Sequence, residues 1–252
     1  MCRFIVILFA TMLCACNLSL ENSANEKWAR YGLAKCDIKT CIPKNKGEDE
    51  SWWTPYTRHK LEQPHNDLLF IGDSIIDQWG NASDNLFPGG LDTWKKRYES
   101  TATNFGVYGD NTQNVLWRLT EGKALKGYAP KRIVLLIGIN NLLQGDSPED
   151  TFVGIKAVTG YLRKTLPDSK VLVLGIFPCH EKTDPIREKI RQVNEMTKKL
   201  ADYKNVYFAD IGNVFLGQDD SISTDVMTDL LHPSPQGYKL WADAMDPFLL
   251  QF

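Results

Sequence analysis

The sequence predicts an α/β protein in which helices cover both faces of an open, doubly wound sheet of five parallel strands. Short, continuous apolar runs that end at a glycine or a polar turn are typical of strands buried on both faces. Longer segments with helical spacing separate these runs, as they do in successive β-α-β units. The 252-residue chain contains only five such runs, which argues against an eight-stranded barrel.

The five predicted strands follow the apolar runs along the chain. The strongest is 132–137, in which every residue after Arg132 is isoleucine, valine or leucine. The other strands are predicted at 68–71, 101–105, 170–176 and 206–209. Helices are predicted over 74–98 with a break at 88–90, and over 112–121, 148–166, 185–203 and 235–250. Strands and helices therefore alternate from residue 67 onwards.

The composition excludes several classes of protein. Charged residues make up 24% of the chain and apolar residues 43%, which is typical of a globular fold and not of a disordered, collagen-like or polytopic membrane protein. The 29 lysines and arginines nearly balance the 31 aspartates and glutamates, which gives a net charge of -2. Nucleic-acid-binding proteins usually carry a clear basic excess, so we expect no nucleic-acid partner.

Residues 1–15 have the features of a secretory signal peptide. A single charge, Arg3, precedes an apolar run over 4–10, which is shorter than the roughly 20 residues that a membrane-spanning helix needs. The tetrapeptide Leu-Cys-Ala-Cys that ends at Cys16 resembles the bacterial lipobox. This resemblance implies a lipoprotein that is cleaved before Cys16, lipidated on Cys16 and anchored to a membrane of the bacterial cell envelope, periplasmic or surface-exposed. The alternative is an ordinary signal peptide that contains cysteines by chance.

The remaining chain is expected to divide into a tether and one domain. Residues 16–30 are rich in asparagine, serine and glutamate, which predicts a flexible tether. Residues 31–252 are predicted to form the domain, and its irregular N-terminal extension, 31–66, contains tryptophans that indicate docking. Cys36 and Cys41 form a disulfide in an oxidising compartment, or they are two free thiols.

Polar turns that contain glycine follow three of the predicted strands, and a fourth polar segment precedes the last helix. These segments are residues 72–74, 106–110, 138–141 and 229–233. The carboxyl ends of parallel strands meet at one edge of the sheet, so the first three turns lie together at that edge. Ligands of such sheets bind there. Together the segments supply a serine, backbone N–H groups beside glycine, an asparagine amide, an aspartate and a histidine. Acyl transfer requires these groups.

The chemistry suggests one role for each of these groups. Ser74 is the candidate nucleophile and needs an adjacent base, for which His232 is the best candidate. Asp229, three residues earlier, would fix the tautomer of the imidazole. The expected oxyanion-hole donors are the backbone N–H groups of Ser74 and Gly109 and the side-chain amide of Asn140. Taken singly, each has another interpretation: Ser74 as a helix N-cap, Gly109 as a turn glycine and His232 as a packed or surface histidine.

Four short motifs, in their order along the chain, resemble the four blocks of the GDSL/SGNH hydrolase family. They are Gly-Asp-Ser at 72–74, Gly109, Gly-x-Asn at 138–140 and Asp-x-x-His at 229–232. The resemblance spans about residues 67–252. Four motifs in order, each placed as the alternation of strands and helices requires, form a specific pattern.

Within this family, four segments are similar to the catalytic subunits of platelet-activating-factor acetylhydrolase: 104–110, 115–119, 138–141 and 185–189. The resemblance implies a flavodoxin-like, three-layer αβα fold, which is the SGNH hydrolase fold. It also implies that no metal and no cofactor take part, and that the enzyme hydrolyses short acyl esters, above all acetyl esters. Family members on bacterial surfaces often deacetylate carbohydrates.

The resemblance therefore implies a serine esterase whose substrate is a small-molecule or glycan ester, with O-deacetylation of carbohydrate as the favoured reaction. The alternatives are a lysophospholipase or thioesterase that acts on lipids, and a non-catalytic binding lipoprotein. Two positions depart from the common family pattern. Asn141 stands where many members have aspartate, and Tyr108 stands where a small residue is common. Tyr108 either narrows the acyl pocket or stacks on a sugar.

Overall fold

Five parallel strands form a single sheet in the part of the chain that the computed structural model describes, namely residues 38–46, 65–80 and 89–251. The strands are β1 (Leu68–Gly72), β2 (Ala102–Gly106), β3 (Arg132–Leu136), β4 (Lys170–Leu174) and β5 (Val206–Ala209). Their spatial order is β2-β1-β3-β4-β5, so the direction of winding reverses between β1 and β3. This order confirms the predicted doubly wound α/β fold with five parallel strands.

Seven α-helices lie between or after the strands within these ranges. They are α1 (Ser74–Asp77), α2 (Leu91–Arg97), α3 (Thr112–Leu119), α4 (Ile139–Leu143), α5 (Pro148–Thr165), α6 (Ile186–Thr197) and α7 (Pro235–Leu249). The two longest, α5 and α7, begin with proline after a capping serine: Ser147 and Ser234 each accept a backbone N–H of the first turn. None of the helices in the described ranges has the length and apolarity needed to cross a bilayer.

An aromatic cluster packs α7 against β1 and the chain that follows α1. Trp79 and Trp241 are fully buried, and their ring centroids lie 4.0 Å apart. Phe70 of β1 meets the edge of Trp79 at 5.4 Å. Tyr238 of α7 donates a hydrogen bond of 2.7 Å from its hydroxyl to the carbonyl of Ile75. Because truncation of one such aromatic side chain costs about 3–5 kcal/mol of stability, the position of α1 is firmly fixed.

Gly106 allows α1 to pack directly on the end of β2. A Cβ atom at Gly106 would lie 2.2 Å from the backbone nitrogen of Asp77, so no other residue fits. Asn104 of β2 strengthens this contact, since its Nδ2 donates to the carbonyl of Ile76 at 2.7 Å and its Oδ1 accepts the N–H of Gly106 at 2.9 Å. The residue at the start of α1 is thereby held at the carboxyl edge of the sheet.

Residues 38–46 of the N-terminal extension pack on the start of α3. Thr112 donates from Oγ1 to the carbonyl of Thr40 at 2.8 Å. Lys39 forms an ion pair of 2.6 Å with Asp146, which lies just before α5. Cys41 is buried and disulfide-bonded.

Other predictions for the N-terminal part fall on residues that the structure does not describe. These are the signal peptide at 1–15, the lipidation site Cys16, the tether at 16–30, most of the extension at 31–66 and Cys36, the predicted partner of Cys41. They stay predictions. The structural description of the extension covers residues 38–46 and 65–66.

Two predicted helices differ from the observed ones. The helix predicted over 185–203 ends at Thr197, and Lys198–Leu200 form a single 3-10 turn. The helix does not continue to residue 203, because Oδ1 of Asp202 accepts the three successive backbone N–H groups of residues 204–206. These hydrogen bonds turn the chain into β5. The segment predicted as partly helical over 74–98 contains the two separate helices α1 and α2, and residues 81–88 lie outside the described ranges.

Candidate active site

Ser74 lies where the chain leaves β1, beside the switch point of the sheet. Gly72 at the end of β1 lies opposite Leu136 at the end of the neighbouring strand β3. Asp73 caps α1, because its Oδ1 accepts the N–H of Ile75 at 2.9 Å, and Ser74 is the first residue of the helix. The alternative interpretation of Ser74 as the N-cap is therefore wrong, and its hydroxyl has a different partner.

That partner is His232, and together with Asp229 the two side chains form a continuous hydrogen-bonded chain. Ser74 Oγ lies 2.9 Å from Nε2 of His232. Nδ1 of the same ring lies 2.7 Å from Oδ2 of Asp229. Ser74 and His232 are each only 5% exposed, although they are 158 residues apart in sequence. With the ring proton on Nδ1 and shared with the carboxylate, Nε2 is the acceptor for the serine proton, as general-base activation of a hydroxyl requires.

Asp229 remains ionised beside the imidazole. Partial burial raises the pKa of Asp229, but the hydrogen bonds from the His232 ring and from the backbone N–H groups of His232 and Leu231 outweigh this effect and lower that pKa to about 2. Oδ1 accepts the two backbone N–H groups at 2.7 Å and 3.1 Å, which leaves Oδ2 for the ring. The carboxylate can therefore hold one tautomer and stabilise an imidazolium.

The turn between Asp229 and His232 is held in a sparsely populated backbone conformation. Leu230 has a φ of +60°, a value that a non-glycine residue adopts rarely. Its carbonyl accepts the backbone N–H of His180 at 2.8 Å. His180 itself has a φ of +60°, and its Nδ1 lies 3.0 Å from Asp184. His180 thus supports the turn through its backbone, and its side chain pairs elsewhere.

Two buried carboxyl groups lie under the site. Burial raises the pKa of Asp73 to about 7, against the opposing effects of the Ile75 N–H and the His232 charge. Burial also raises the pKa of Asp110, although Arg118 opposes it. Arg118 is itself buried and donates from Nε to Asp110 at 2.7 Å and from Nη2 to the carbonyl of Gly72 at 3.2 Å. This buried ion pair ties the loop after β2 to the end of β1.

The three predicted oxyanion-hole donors lie in the segments that follow the adjacent strands β1, β2 and β3. The N–H of Ser74 has no intrahelical acceptor, because Ser74 is the first residue of α1. Gly109 lies in the turn closed by the hydrogen bond of 3.2 Å from Asp110 N–H to the carbonyl of Val107. The amide of Asn140 at the start of α4 donates from Nδ2 to the carbonyl of Asp110 at 2.7 Å. Asn140 therefore borders the turn that carries Gly109.

Comparison with known proteins identifies the family. A model of the GDSL-like lipase/acylhydrolase family matches residues 70–240. The chain belongs to this family. Platelet-activating factor acetylhydrolase IB subunit alpha1 of Rattus norvegicus is 36% identical to it over 207 residues, which are 81% of this chain and 84% of that protein.

Solved structures share the fold of this acylhydrolase. A GDSL-like lipase from Bacteroides thetaiotaomicron superposes with a TM-score of 0.61 at 18% sequence identity. The superposition covers 79% of this chain and 97% of the lipase chain. A catalytic mutant of an acetylxylan esterase from Geobacillus stearothermophilus superposes with a TM-score of 0.55 at 21% sequence identity. That superposition covers 73% of this chain and 92% of the esterase chain. The fold is thus that of the SGNH hydrolases, and the family match shows that the chain is an ester hydrolase.

Asn141 of the acylhydrolase holds α4 against the start of α3. Its Nδ2 donates to Gln113 and to Asp146, each at 3.0 Å, and its Oδ1 accepts the backbone N–H of Thr112 at 3.0 Å. An asparagine satisfies these partners because its amide both donates and accepts. The aspartate that the family resemblance would lead one to expect at this position would face the carboxylate of Asp146. The structure thus gives a physical reason for the departure at Asn141.

Tyr108 forms an exposed wall of the site. Its side chain is 57% exposed, although it directly precedes Gly109. Its ring lies nearly parallel to that of His232, with an angle of 11° between the planes and 6.3 Å between the centroids. The Tyr108 ring therefore stands beside the imidazole of His232.

Sequence reasoning missed two contributors to this site. Lys46 in the described part of the extension donates from Nζ to the carbonyl of Tyr108, and its Nζ lies 3.6 Å from Oδ1 of Asp110. Lys46 lies in a lysine-rich stretch far from the four motifs, so no local pattern marked it. His180 acts through its backbone N–H, which any residue except proline would supply.

Proposed function

We propose that this ester hydrolase is a serine esterase that removes short acyl groups, acetyl above all, from carbohydrate esters. The observation that carries the proposal is the chain of hydrogen bonds from Ser74 through His232 to Asp229, at 2.9 Å and 2.7 Å. Ser74 is the proposed nucleophile, His232 the proposed general base and acid, and Asp229 the group that orients the imidazole.

The first half of the reaction forms an acyl-enzyme. Ser74 Oγ attacks the carbonyl carbon of the ester while its proton passes to His232 Nε2. The electrons of the C=O bond move to its oxygen, which the N–H groups of Ser74 and Gly109 and the amide of Asn140 stabilise. The tetrahedral intermediate then collapses, and the alcohol leaves with the proton from His232. Loss of one such oxyanion donor typically lowers kcat by about 10²–10³-fold.

The second half returns the enzyme to its starting state. Water attacks the acyl group on Ser74 and gives its proton to His232 Nε2, which then protonates Ser74 Oγ as the carboxylic acid leaves. The lowered pKa of Asp229 supports this cycle, since an ionised carboxylate stabilises the imidazolium in both halves.

Two observations support the choice of substrate. The relative with 36% identity is named an acetylhydrolase, which supports acetyl as the acyl group. The alcohol half must lie beside His232 to receive its proton, and Tyr108 presents an exposed aromatic face there. Aromatic rings combine a large apolar face with a polar edge, which suits the stacking of a sugar ring. We therefore favour a carbohydrate as the alcohol half.

Initial rates on three p-nitrophenyl esters, the acetate, butyrate and octanoate, test the reaction. The wild-type chain and Ser74→Ala are compared in the same detergent. Rates that fall steeply from acetate to octanoate and vanish in Ser74→Ala are expected. A preference for octanoate would instead indicate a lipid or thioester substrate. No Ser74-dependent hydrolysis of any ester, in a folded protein, would contradict the proposed mechanism and favour a binding lipoprotein.

A direct comparison of natural ester classes tests the alcohol half. An acetylated xylo-oligosaccharide and an acetylated glycerophospholipid in mixed micelles are offered at equal ester concentrations, and the released acetate is measured. The proposal predicts a higher kcat/KM for the oligosaccharide. A higher kcat/KM for the phospholipid would overturn the assignment of a carbohydrate as the alcohol half, but the proposed esterase mechanism would stand.

We also propose that the enzyme is a lipoprotein anchored in the bacterial cell envelope through Cys16. The support is the Leu-Cys-Ala-Cys tetrapeptide and the polar segment 16–30 that follows it. Stable anchoring requires more than one acyl chain, which bacterial lipoprotein modification supplies. In bacteria fed radiolabelled palmitate, the full chain is expected to take up the label and sediment with membranes, and Cys16→Ser to do neither. Equal labelling of both proteins would contradict the assignment.

A further inference from the structure

The N-terminal extension brings one ammonium group to the turn that carries a proposed oxyanion donor. The backbone of this segment is fixed two residues earlier: Lys44 donates its N–H to the carbonyl of Gln113 at 3.0 Å, and its carbonyl accepts Nδ2 of Asn114 at 2.9 Å. The side chain of Lys46 then reaches the 107–110 turn and donates a hydrogen bond to the carbonyl of Tyr108. The backbone contacts of Lys44 and the side-chain contact of Lys46 therefore place the Lys46 ammonium group at this turn.

Two further contacts locate the Lys46 ammonium beside this turn. Its Nζ lies 3.6 Å from Oδ1 of Asp110, the last residue of the turn. A Cβ atom built on Gly109 would lie 3.0 Å from the same Nζ. Asp110 is fully buried and is anchored on its other oxygen by Arg118. Lys46 thus meets the turn at an ion pair, a carbonyl and the open side of its glycine.

The carbonyl that Lys46 contacts belongs to the same peptide group as the N–H of Gly109. In a planar trans peptide the C=O and the N–H point in opposite directions, so the cation binds one end and the oxyanion would bind the other. A charge-assisted hydrogen bond to the oxygen polarises the group and strengthens its N–H as a donor. The effect of Lys46 would therefore reach the reacting oxygen without direct contact.

The orientation of this peptide has an alternative. Gly109 is the third residue of a turn closed by the Asp110 N–H and the Val107 carbonyl, and its φ of +70° is that of a type II turn. A type I turn closes the same hydrogen bond with the central peptide turned over. In that form the Gly109 N–H and the Tyr108 carbonyl would exchange sides. A cation bound to the carbonyl favours the type II orientation.

We propose that Lys46 is a positioning residue for the oxyanion hole, which holds and polarises the Tyr108–Gly109 peptide so that the Gly109 N–H serves the tetrahedral intermediate. This inference rests on the proposed esterase mechanism. It assigns a functional role to the N-terminal extension, which lies outside the matched family region at 70–240.

Three substitutions in the full chain test the inference. Lys46→Met removes the charge and keeps the length of the side chain, Lys46→Arg keeps the charge, and Lys44→Met removes a neighbouring charge from the same segment. We expect Lys46→Met to lower kcat on p-nitrophenyl acetate about 10-fold at a KM within twofold of wild type, because the Gly109 N–H that Lys46 strengthens is used only by the oxyanion of the transition state. Lys46→Arg should recover most of the loss, and Lys44→Met should match wild type.

A second readout separates positioning from a general structural role. An aryl trifluoromethyl ketone forms a hemiketal on a serine nucleophile and carries the charge of the tetrahedral intermediate. Its affinity should fall in Lys46→Met by the same factor as kcat/KM, while the thermal melting curve still shows a folded protein. An unchanged kcat, a loss confined to KM, or a loss that Lys46→Arg does not recover would overturn the inference. If wild type itself shows no Ser74-dependent hydrolysis, the proposed function falls and the inference with it.

Discussion

Replacement of Asp229 by asparagine is expected to cost more activity than the loss of one charge, because the structure dictates how the new amide would face. Oδ1 of Asp229 accepts the backbone N–H groups of Leu231 at 3.1 Å and His232 at 2.7 Å, whereas Oδ2 faces the ring nitrogen Nδ1 at 2.7 Å. Asparagine keeps both backbone hydrogen bonds only with its oxygen in the place of Oδ1. Its NH₂ group then faces Nδ1.

The magnitude follows from these contacts. Flipping the amide would sacrifice two backbone hydrogen bonds, about 2 kcal/mol at about 1 kcal/mol each, so the amide stays as placed. Two donors cannot face each other, so the ring proton moves to Nε2, which can no longer accept the Ser74 proton. The shift in the Asp229 pKa from 3.8 to about 2 corresponds to about 2.5 kcal/mol, and solvent screening of a side chain that is 36% exposed reduces this to about 1 kcal/mol. Loss of that whole amount from the transition state would lower kcat less than about tenfold, whereas the wrong tautomer in a triad costs about 10⁴.

The assay compares Asp229→Asn with Asp229→Ala on p-nitrophenyl acetate. Alanine leaves Nδ1 without a side-chain partner, so the ring still samples the productive tautomer, and we expect a smaller loss in kcat than for asparagine. Asparagine enforces the unproductive tautomer, and we expect a loss of about 10³–10⁴. Higher residual activity in Asp229→Asn than in Asp229→Ala would refute the tautomer argument.

Three further predictions concern neighbouring residues. Asn140→Ala removes a proposed oxyanion donor and should lower kcat about 10²–10³-fold with little change in KM; steady-state rates that show a change in KM alone would contradict the role. Tyr108→Ala should raise the KM for an acetylated oligosaccharide several-fold and leave p-nitrophenyl acetate nearly unaffected, and equal effects on both would argue against a sugar platform. Asp73→Asn keeps the cap on Ile75 but removes a buried acid whose pKa is raised to about 7. In wild type the unfolded chain ionises this group near pH 4, whereas the folded protein keeps its proton up to about pH 7. The free energy of unfolding gained by Asp73→Asn should therefore grow between pH 4 and 7 and then level off. A gain measured by urea denaturation that is independent of pH would contradict this.

Much of the fold was predictable because its strands are buried on both faces. Continuous apolar runs such as 132–137 have no polar alternation and indicate a parallel sheet without any knowledge of tertiary contacts. The end of α6 was not predictable from helical spacing, because a single side chain, Asp202, redirects the chain by accepting three backbone N–H groups. The short helix α4, at Ile139–Leu143, was also missed, since one turn of helix leaves almost no periodic signal.

The candidate site was predictable where a local motif coincides with a strand end, as at Ser74, and where spacing links two groups, as in Asp229 and His232. The structure places these side chains within hydrogen-bonding distance of one another. Contributions that depend on long-range backbone contacts left no trace in the sequence. Lys46 reaches the Tyr108 carbonyl across 62 residues of chain, and His180 supports the turn between Asp229 and His232 through its own N–H.

Whether hydrolysis proceeds through an acyl group on Ser74 can be decided by trapping that group. The full chain is mixed with p-nitrophenyl acetate, quenched in acid within the first turnover, digested and examined by mass spectrometry. The proposed mechanism predicts one added acetyl group on the peptide that contains Ser74. It predicts neither this adduct nor turnover in Ser74→Ala. An acetyl group on a different residue, or turnover that persists in Ser74→Ala, would contradict it.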